Sequence, residues 1–223
     1  MLVAGASALC YALAGRKLGE SDLVMVRRCG IALAIIAAWM ILTGELAARD
    51  VITQFERRPP PLLIVFVVVL ALGLRLGFSK VGDRLARGLS LPVLIGFQSF
   101  RFPLELMMHR AATEGVMPPQ MSYSGWNFDI FTGITAILVS VLLAMGRMPR
   151  WGVWVWNIGG IILLTGIIVI AGISSPMIRA FGDEPARVNT WVAHFPFIWL
   201  GTVHVVAAIT GHVVITRKLL RER

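Results

Sequence analysis

The sequence predicts an all-α integral membrane protein, a bundle of about seven transmembrane helices. Of its 223 residues, 57% are hydrophobic and only 15% are charged, whereas a soluble domain carries about 25% charged residues. Apolar runs of about 20 residues, long enough to cross roughly 30 Å of hydrocarbon, recur along the chain. The runs are continuous rather than alternating, which is typical of helices and not of the strands of a transmembrane barrel. The mean hydropathy of +0.78 agrees with this class.

The apolar runs predict seven spans within a single domain of residues 1–223, with no separate soluble domain. The first run is the weakest, because about 14 residues are short for a span; the bundle has six spans if this run does not cross. Its Ala12-Leu13-Ala14 sequence resembles a signal-peptidase site, but the positively charged start of a secretory signal is absent, so we expect a short first helix. The predicted spans are residues 2–15, 29–47, 62–79, 91–109, 128–146, 153–173 and 190–215.

The connections between the spans carry their own signals. Pro92 lies in the first turn of the fourth span, where proline is favoured, and Met148-Pro149-Arg150 predicts a tight hairpin. Residues 80–90 are amphipathic and predict a short helix on the membrane surface. Cys10 and Cys29 have no metal-binding or redox spacing, so we expect packing residues rather than a disulfide.

The distribution of Lys and Arg predicts the orientation. With the N-terminus outside, fourteen of the 21 basic residues fall in cytoplasmic segments and six in outside segments, and Arg101 lies within the membrane. We therefore expect a multi-pass plasma-membrane protein with a cytoplasmic C-terminus. The net charge of +9 then attracts anionic lipids of the inner leaflet. A nucleic-acid partner is not expected, since it would need a basic soluble surface.

A polar stripe crosses the fourth span. Arg101, Glu105 and His109 are spaced four residues apart, so they lie on nearly one face of a helix, and Gln98 extends that face. Ionisable side chains are costly within hydrocarbon, which makes this stripe the first candidate for a functional site.

Two other spans place polar residues at a similar depth. Asn127 and Asp129 open the fifth span, and His194 lies at the outer end of the seventh, so Asp129 and His194 are expected near the level of Glu105. His204 is expected nearer the middle of the membrane. The candidates for binding a ligand or a proton are therefore Gln98, Arg101, Glu105, His109, Asn127, Asp129, His194 and His204.

Each candidate also has a purely structural interpretation. Arg101 and Glu105 can neutralise each other along one helix face. Asn127 and Asp129 stand where an N-cap and a first-turn acid stabilise the start of a helix. An interhelical hydrogen bond suffices to explain His204.

Three further features are expected to serve packing or anchoring alone. His212 precedes basic residues and is predicted to be interfacial, and Asn157 is predicted to be a packing residue. The fifth span carries a stripe of small residues, which indicates a face for close helix packing: Gly133, Ala136, Ser140 and Ala144.

Three functions remain open at this level. The favoured hypothesis is an outward-facing polar pocket that binds or transports a small solute or protons, with Glu105 titrating and Arg101 as its counter-charge. The second is a non-catalytic structural subunit of a membrane complex, because short loops and small residues suit a packing partner, whether another protein or a second copy. The third and least favoured is a membrane-embedded metal-dependent enzyme.

The enzyme hypothesis rests on ligand types alone. Glu105, His109, Asp129 and His194 offer oxygen and nitrogen ligands for zinc or iron, and His109 with His194 offers a pair for haem. No zinc-protease, nucleophile-elbow or haem-attachment motif supports these ligands. No cofactor is therefore predicted.

The order of several motifs carries a family resemblance. GFQSFRFPLEL at residues 96–106 is followed by EGVMP at 114–118 and MSYSGWNFDI at 121–130, and FPFIWL ends the series at 195–200. This series resembles a family of small multi-span proteins of bacterial inner membranes and covers about residues 90–200. The resemblance implies a helical bundle in that membrane and implies no activity. The histidine-rich seventh span departs from the family pattern.

Overall fold

The computed structural model describes residues 1–222, and all of their regular secondary structure is helical. Each of the seven predicted segments contains a helix, and segment 80–90 forms a further one. Cys10 and Cys29 are free thiols, as expected. The helices are α1 (Leu2–Lys17), α2 (Asp22–Ala48), α3 (Pro61–Phe78), α4 (Lys80–Gly88), α5 (Leu91–Phe97), α6 (Arg101–Thr113), α7 (Ile130–Ala144), α8 (Arg150–Ile173) and α9 (Val206–Arg221).

Four helical stretches are long and apolar enough to cross a membrane. They are α2, α3, α8 and the continuous stretch Leu200–Arg221 that includes α9. The helices α1 and α7 are shorter, with 16 and 15 residues. A 3-10 turn at Gln98–Phe100 joins α5 to α6, so the fourth predicted segment is one helical stretch with an irregular centre.

The last helix differs from its predicted bounds of 190–215. It opens with a π-helical turn, Leu200–Val205, and continues as α9 to Arg221. Pro196 has no N–H and restricts the residue before it, so the chain just before this turn forms tight turns instead of helix. The consequence is that the residues near the predicted C-terminal end, such as His212, lie farther from the C-terminal end of the helix than the sequence suggested.

The centre of the bundle is α9, which packs against α3, α4, α5 and α8. The approach of α3 is close because Gly77 has no side chain: a Cβ there would lie 2.6 Å from Val213 Cβ. On the other side, α5 packs against the small residues of α7. Ala136 is fully buried there, and Ser140 Oγ donates to Pro92 O over 2.8 Å. The packing face predicted for α7 is confirmed at these two positions.

The short helix α4 is wedged against α1, α3 and α9, and the prediction of a surface helix is wrong for its inner face. Buried Arg84 donates to both carboxylate oxygens of Glu20, over 2.5 and 2.7 Å. Asp83 accepts from Arg217 over 3.0 Å and also pairs with Arg221. We call these five residues the α4 clamp. The hydrogen bond from Arg84 lowers the pKa of Glu20, and that from Arg221 lowers the pKa of Asp83.

Candidate ligand-binding site

Arg101 is buried within the bundle and pairs with Asp129 at the start of α7. Its Nε donates to Asp129 Oδ2 over 2.6 Å, and its Nη2 donates to Oδ1. A bidentate pair is the arrangement in which a buried guanidinium is best compensated. The expected pairing of Arg101 with Glu105 along one helix face is wrong, because the guanidinium reaches across to α7. Asp129 stands at the N-cap position of α7 and not in its first turn, and its side chain makes no capping hydrogen bond because the carboxylate pairs with Arg101.

A glycine one turn along α7 makes this pairing geometrically feasible. Gly133 lies on the same face as Asp129, four residues later. A Cβ at Gly133 would lie 2.8 Å from Phe102 Cα and 2.9 Å from the carbonyl carbon of Arg101. The backbone of α7 therefore touches that of α6, and this contact brings the carboxylate within reach of the guanidinium.

His212 of α9 completes the environment of Arg101. The guanidinium can only donate, so Nη1 donates to His212 Nε2 over 2.8 Å and this nitrogen carries no proton. The proton is then on Nδ1, which donates to Asn157 Oδ1 over 2.9 Å, and Asn157 Nδ2 donates to Thr216 Oγ1 over 2.8 Å. His212 is 1% exposed, so the prediction of an interfacial histidine is wrong. A neutral, fixed tautomer of His212 satisfies every one of these contacts.

Glu105 lies one turn from Arg101 but has a different partner. Asn127 Nδ2 donates to Glu105 Oε2 over 2.7 Å and to Met121 O over 3.0 Å. Asn127 Oδ1 accepts from the backbone N–H of Asp129 over 3.0 Å, so this amide ties the loop before α7 to α6. The other oxygen of Glu105, Oε1, receives no hydrogen bond from any residue in 1–222. We call Arg101, Glu105, Asn127, Asp129 and His212 the cleft cluster.

Three members of the cleft cluster border a cleft of about 450 Å³ between α3 and α8. Both helices pack on the last helical stretch, and Phe66 of α3 comes near α8 at Gly172, where a Cβ would lie 3.7 Å from Phe66 Cζ. The polar lining includes Arg101, Glu105 and Asp129. Most of the remaining wall is aliphatic, as illustrated by Leu62, Leu70, Leu164, Ile168 and Ala171. The volume is within the range of about 300–1,000 Å³ found for small-molecule sites.

Three further residues of the cleft wall carry polar atoms that are buried and have no partner among the described residues. They are Ser175 Oγ, Asn189 Oδ1 and Trp191 Nε1, on the segment that connects α8 to the last helical stretch. These residues are 4%, 3% and 5% exposed. Buried polar groups are normally satisfied, and an unsatisfied one costs about 1–3 kcal/mol. Three such atoms lie along one cleft, where a bound molecule or water can supply the missing contacts.

His204 lines the same cleft from the π-helical turn Leu200–Val205. Its Nδ1 lies 3.0 Å from Trp199 O, and because a carbonyl only accepts, Nδ1 carries the proton and Nε2 is an acceptor. Irregular π-helical turns are frequent at functional sites, where the extra residue redirects a side chain. Here the turn places an imidazole on the cleft wall.

The structure brings together five of the eight candidates predicted from the sequence and separates three. Arg101, Glu105, Asn127, Asp129 and His204 are at the cleft or bonded to its wall. Three candidates have other surroundings. His109 forms a hydrogen bond with Ser122 Oγ over 2.9 Å and stacks on Tyr123. His194 is exposed in the connecting segment. Gln98 is buried against α9, with its Nε2 3.5 Å from Ala208 O.

Sequence reasoning assigned His212 to the interface and Asn157 to helix packing, and it did not predict Ser175, Asn189 or Trp191 as site residues. The sequence carried a signal for His212 and Asn157, because both polar residues interrupt apolar runs. The structure shows why Gly160 follows Asn157: a Cβ at Gly160 would lie 2.5 Å from His212 Cε1. The other three lie in an irregular segment, where no periodicity assigns a direction to a side chain.

No protein-family profile, curated protein or solved structure matches this chain. The interpretation of the site therefore rests on its own geometry. Within residues 1–222, no group of three His, Cys, Asp or Glu side chains is placed to hold a metal ion.

Proposed function

We propose that this chain is an integral membrane protein that binds a small amphiphilic solute in the cleft between α3 and α8. The solute's polar end lies at Glu105, and its apolar part lies along the aliphatic walls. The observation that carries the proposal is a carboxylate oxygen without a donor, Glu105 Oε1, on the wall of an otherwise apolar cleft.

The proposed membrane location is supported by the surfaces of the helices. Large apolar side chains are exposed along α2, α7 and α8, including Ile41, Ile137, Leu138, Ile158 and Ile162. A soluble monomer rarely exposes contiguous apolar patches larger than a few hundred Å². We propose an outside N-terminus, with the basic segments at the α4 end facing the anionic lipids of a bacterial inner membrane. The cleft then opens toward the outer half of the bilayer.

Solute binding is favoured over proton transfer by the state of the cleft cluster. Within the cleft cluster the charged neighbour of Glu105 is Arg101, and a guanidinium has no acceptor to take up a proton and does not give one up in proteins. Arg101 is already bonded to Asp129 and to the unprotonated nitrogen of His212. Glu105 therefore does not pass protons on to Arg101, Asp129 or His212.

A pair of glycine substitutions on α8 tests the proposal. Gly172 lines the cleft opposite Phe66, whereas a Cβ at Gly166 would meet open space. Gly172→Phe is expected to fill the cleft, and Gly166→Phe is the matched control. The probe is dodecanol carrying a diazirine, photolysed in lipid nanodiscs, with labelled residues located by mass spectrometry and normalised to labelling of the lipid-facing surface of α2.

We expect labelling of the cleft faces of α3 and α8 in the wild type and the Gly166→Phe variant, and its loss in the Gly172→Phe variant. Labelling of the cleft that persists in Gly172→Phe, or cleft labelling no higher than that of α2 in the wild type, would contradict the proposal. The second result would leave a structural subunit as the better hypothesis.

A further inference from the structure

The charges around the cleft select among amphiphiles. We infer that the cleft prefers a solute whose polar end is a protonated amine attached to an apolar chain. This inference rests on the proposed function, because it concerns the occupant of the same cleft. It follows from three features of the site: the balance of charge, the kinds of unpartnered atoms, and the composition of the walls.

When Glu105 is ionised, the balance of charge at the site is negative, and a protonated amine is the ligand that stabilises this ionised form. The buried cation, Arg101, is matched by Asp129 through two hydrogen bonds and donates a third to His212. Glu105 adds a carboxylate whose sole protein donor in the described chain is the neutral amide of Asn127. An anionic head group would therefore meet a carboxylate with no cation left to balance it, whereas a protonated amine would meet its counter-ion.

The unpartnered atoms are mostly acceptors. Glu105 Oε1 accepts when the carboxyl is ionised, and His204 Nε2 accepts because Nδ1 carries the proton. Asn189 Oδ1 is also an acceptor, because Nδ2 of the same amide donates to Ala171 O over 3.0 Å. Ser175 Oγ can do either, and Trp191 Nε1 can only donate. A primary ammonium has three donors and no acceptor, so it complements this set better than a carboxylate or phosphate does.

The walls require an apolar body on the same molecule. Away from Glu105 the cleft is bordered by the aliphatic side chains of α3 and α8. A free polyamine would leave those walls without a partner. The shared chemistry is an amine on an alkyl chain, which a free long-chain amine or the ethanolamine head group of a lipid can supply.

Three diazirine probes of equal chain length test this preference on the wild-type protein: dodecylamine, dodecanol and dodecanoic acid, each normalised to its labelling of α2. We expect about tenfold more cleft labelling by the amine than by the acid, a ratio that corresponds to about 1.4 kcal/mol. The alcohol should fall between them. The Glu105→Gln variant should reduce labelling by the amine to the level of the alcohol.

The matched control is Glu114→Gln. Glu114 follows α6 and forms an exposed pair with Arg110, so its removal leaves the cleft unchanged and the amine preference intact. Labelling of the cleft by the acid as strong as by the amine would overturn the inference and leave the proposed function standing. Cleft labelling by none of the three probes would overturn the proposed function itself. The comparison of the three probes on the wild-type protein distinguishes these two outcomes even if the Glu105→Gln variant does not fold.

Nanodiscs of two compositions identify the source of the amine. Suppression of dodecylamine labelling in phosphatidylethanolamine relative to phosphatidylcholine would support the inference with a lipid head group as the natural occupant. Equal labelling in the two would support it with a free long-chain amine.

Discussion

Two clusters that both include residues of α9 pair arginines with carboxylates in different ways. In the α4 clamp, each carboxylate is held by guanidinium groups: Glu20 by Arg84, and Asp83 by Arg217 and Arg221. In the cleft cluster, Arg101 is satisfied but Glu105 keeps one oxygen without a donor in the described part of the chain. Both clusters join distant helices. Where every carboxylate is paired with a guanidinium, stabilisation of the fold is enough to explain the cluster. The oxygen of Glu105 that has no donor on the cleft wall needs a further explanation, which is ligand binding in our proposal.

The largest expected effect comes from breaking the buried pair. Asp129→Ala would leave the guanidinium of Arg101 buried without its counter-ion, which costs about 3–5 kcal/mol in other proteins. We expect a large fall in the unfolding midpoint of the purified protein in detergent. The double variant Arg101→Met with Asp129→Leu should recover much of the loss, because no unpaired charge remains. An Asp129→Ala protein as stable as the wild type would contradict the pairing.

A smaller effect is expected from the helix contact that positions this pair. In Gly133→Ala, the new methyl group would meet the backbone of Phe102, and overpacking of this kind costs about 1–3 kcal/mol. Gly166→Ala on α8 is the control, since its methyl group meets open space and alanine is the better helix former. The difference in thermal midpoint between the two variants measures the contact. Equal midpoints would show that α7 does not approach α6 as closely as described.

The smallest effect is expected from acid titration of the α4 clamp. The folded pKa values of Glu20 and Asp83 are lowered by hydrogen bonds from Arg84 and Arg221. Their stabilisation is therefore complete above the unfolded values of about 4 and is lost as the pH falls through the folded values. Thermal midpoints of the wild type should decline below about pH 4 more steeply than those of Glu20→Gln. Parallel curves for the two proteins would show that Glu20 contributes nothing in this range.

The sequence was most informative about helices and about the polar face of α6. Four-residue spacing placed Arg101 and Glu105 on one face, and that face does border the cleft. The partner of Arg101 was not predictable, because it depends on how closely α7 approaches at Gly133. Periodicity describes one helix at a time and carries no information on the distance between two helices.

The error at His212 has a separate origin. The predicted seventh span began at residue 190, whereas the helical stretch begins with the π-helical turn at Leu200 and ends at Arg221. That shift moves His212 from the end of a span to its buried interior, next to Asn157. The unpartnered atoms of Ser175, Asn189 and Trp191 could not be predicted from the sequence, because the irregular backbone of the connecting segment gives its side chains no regular direction.

The most direct test of the central claim is the location of dodecylamine–diazirine adducts on the wild-type protein in phosphatidylcholine nanodiscs. We expect adducts concentrated on the cleft-lining residues of α3 and α8, such as Leu70 and Leu164, above the level on the lipid-facing surface of α2. Adducts distributed over α2, α3 and α8 without enrichment at the cleft would contradict the claim that this cleft binds an amphiphile.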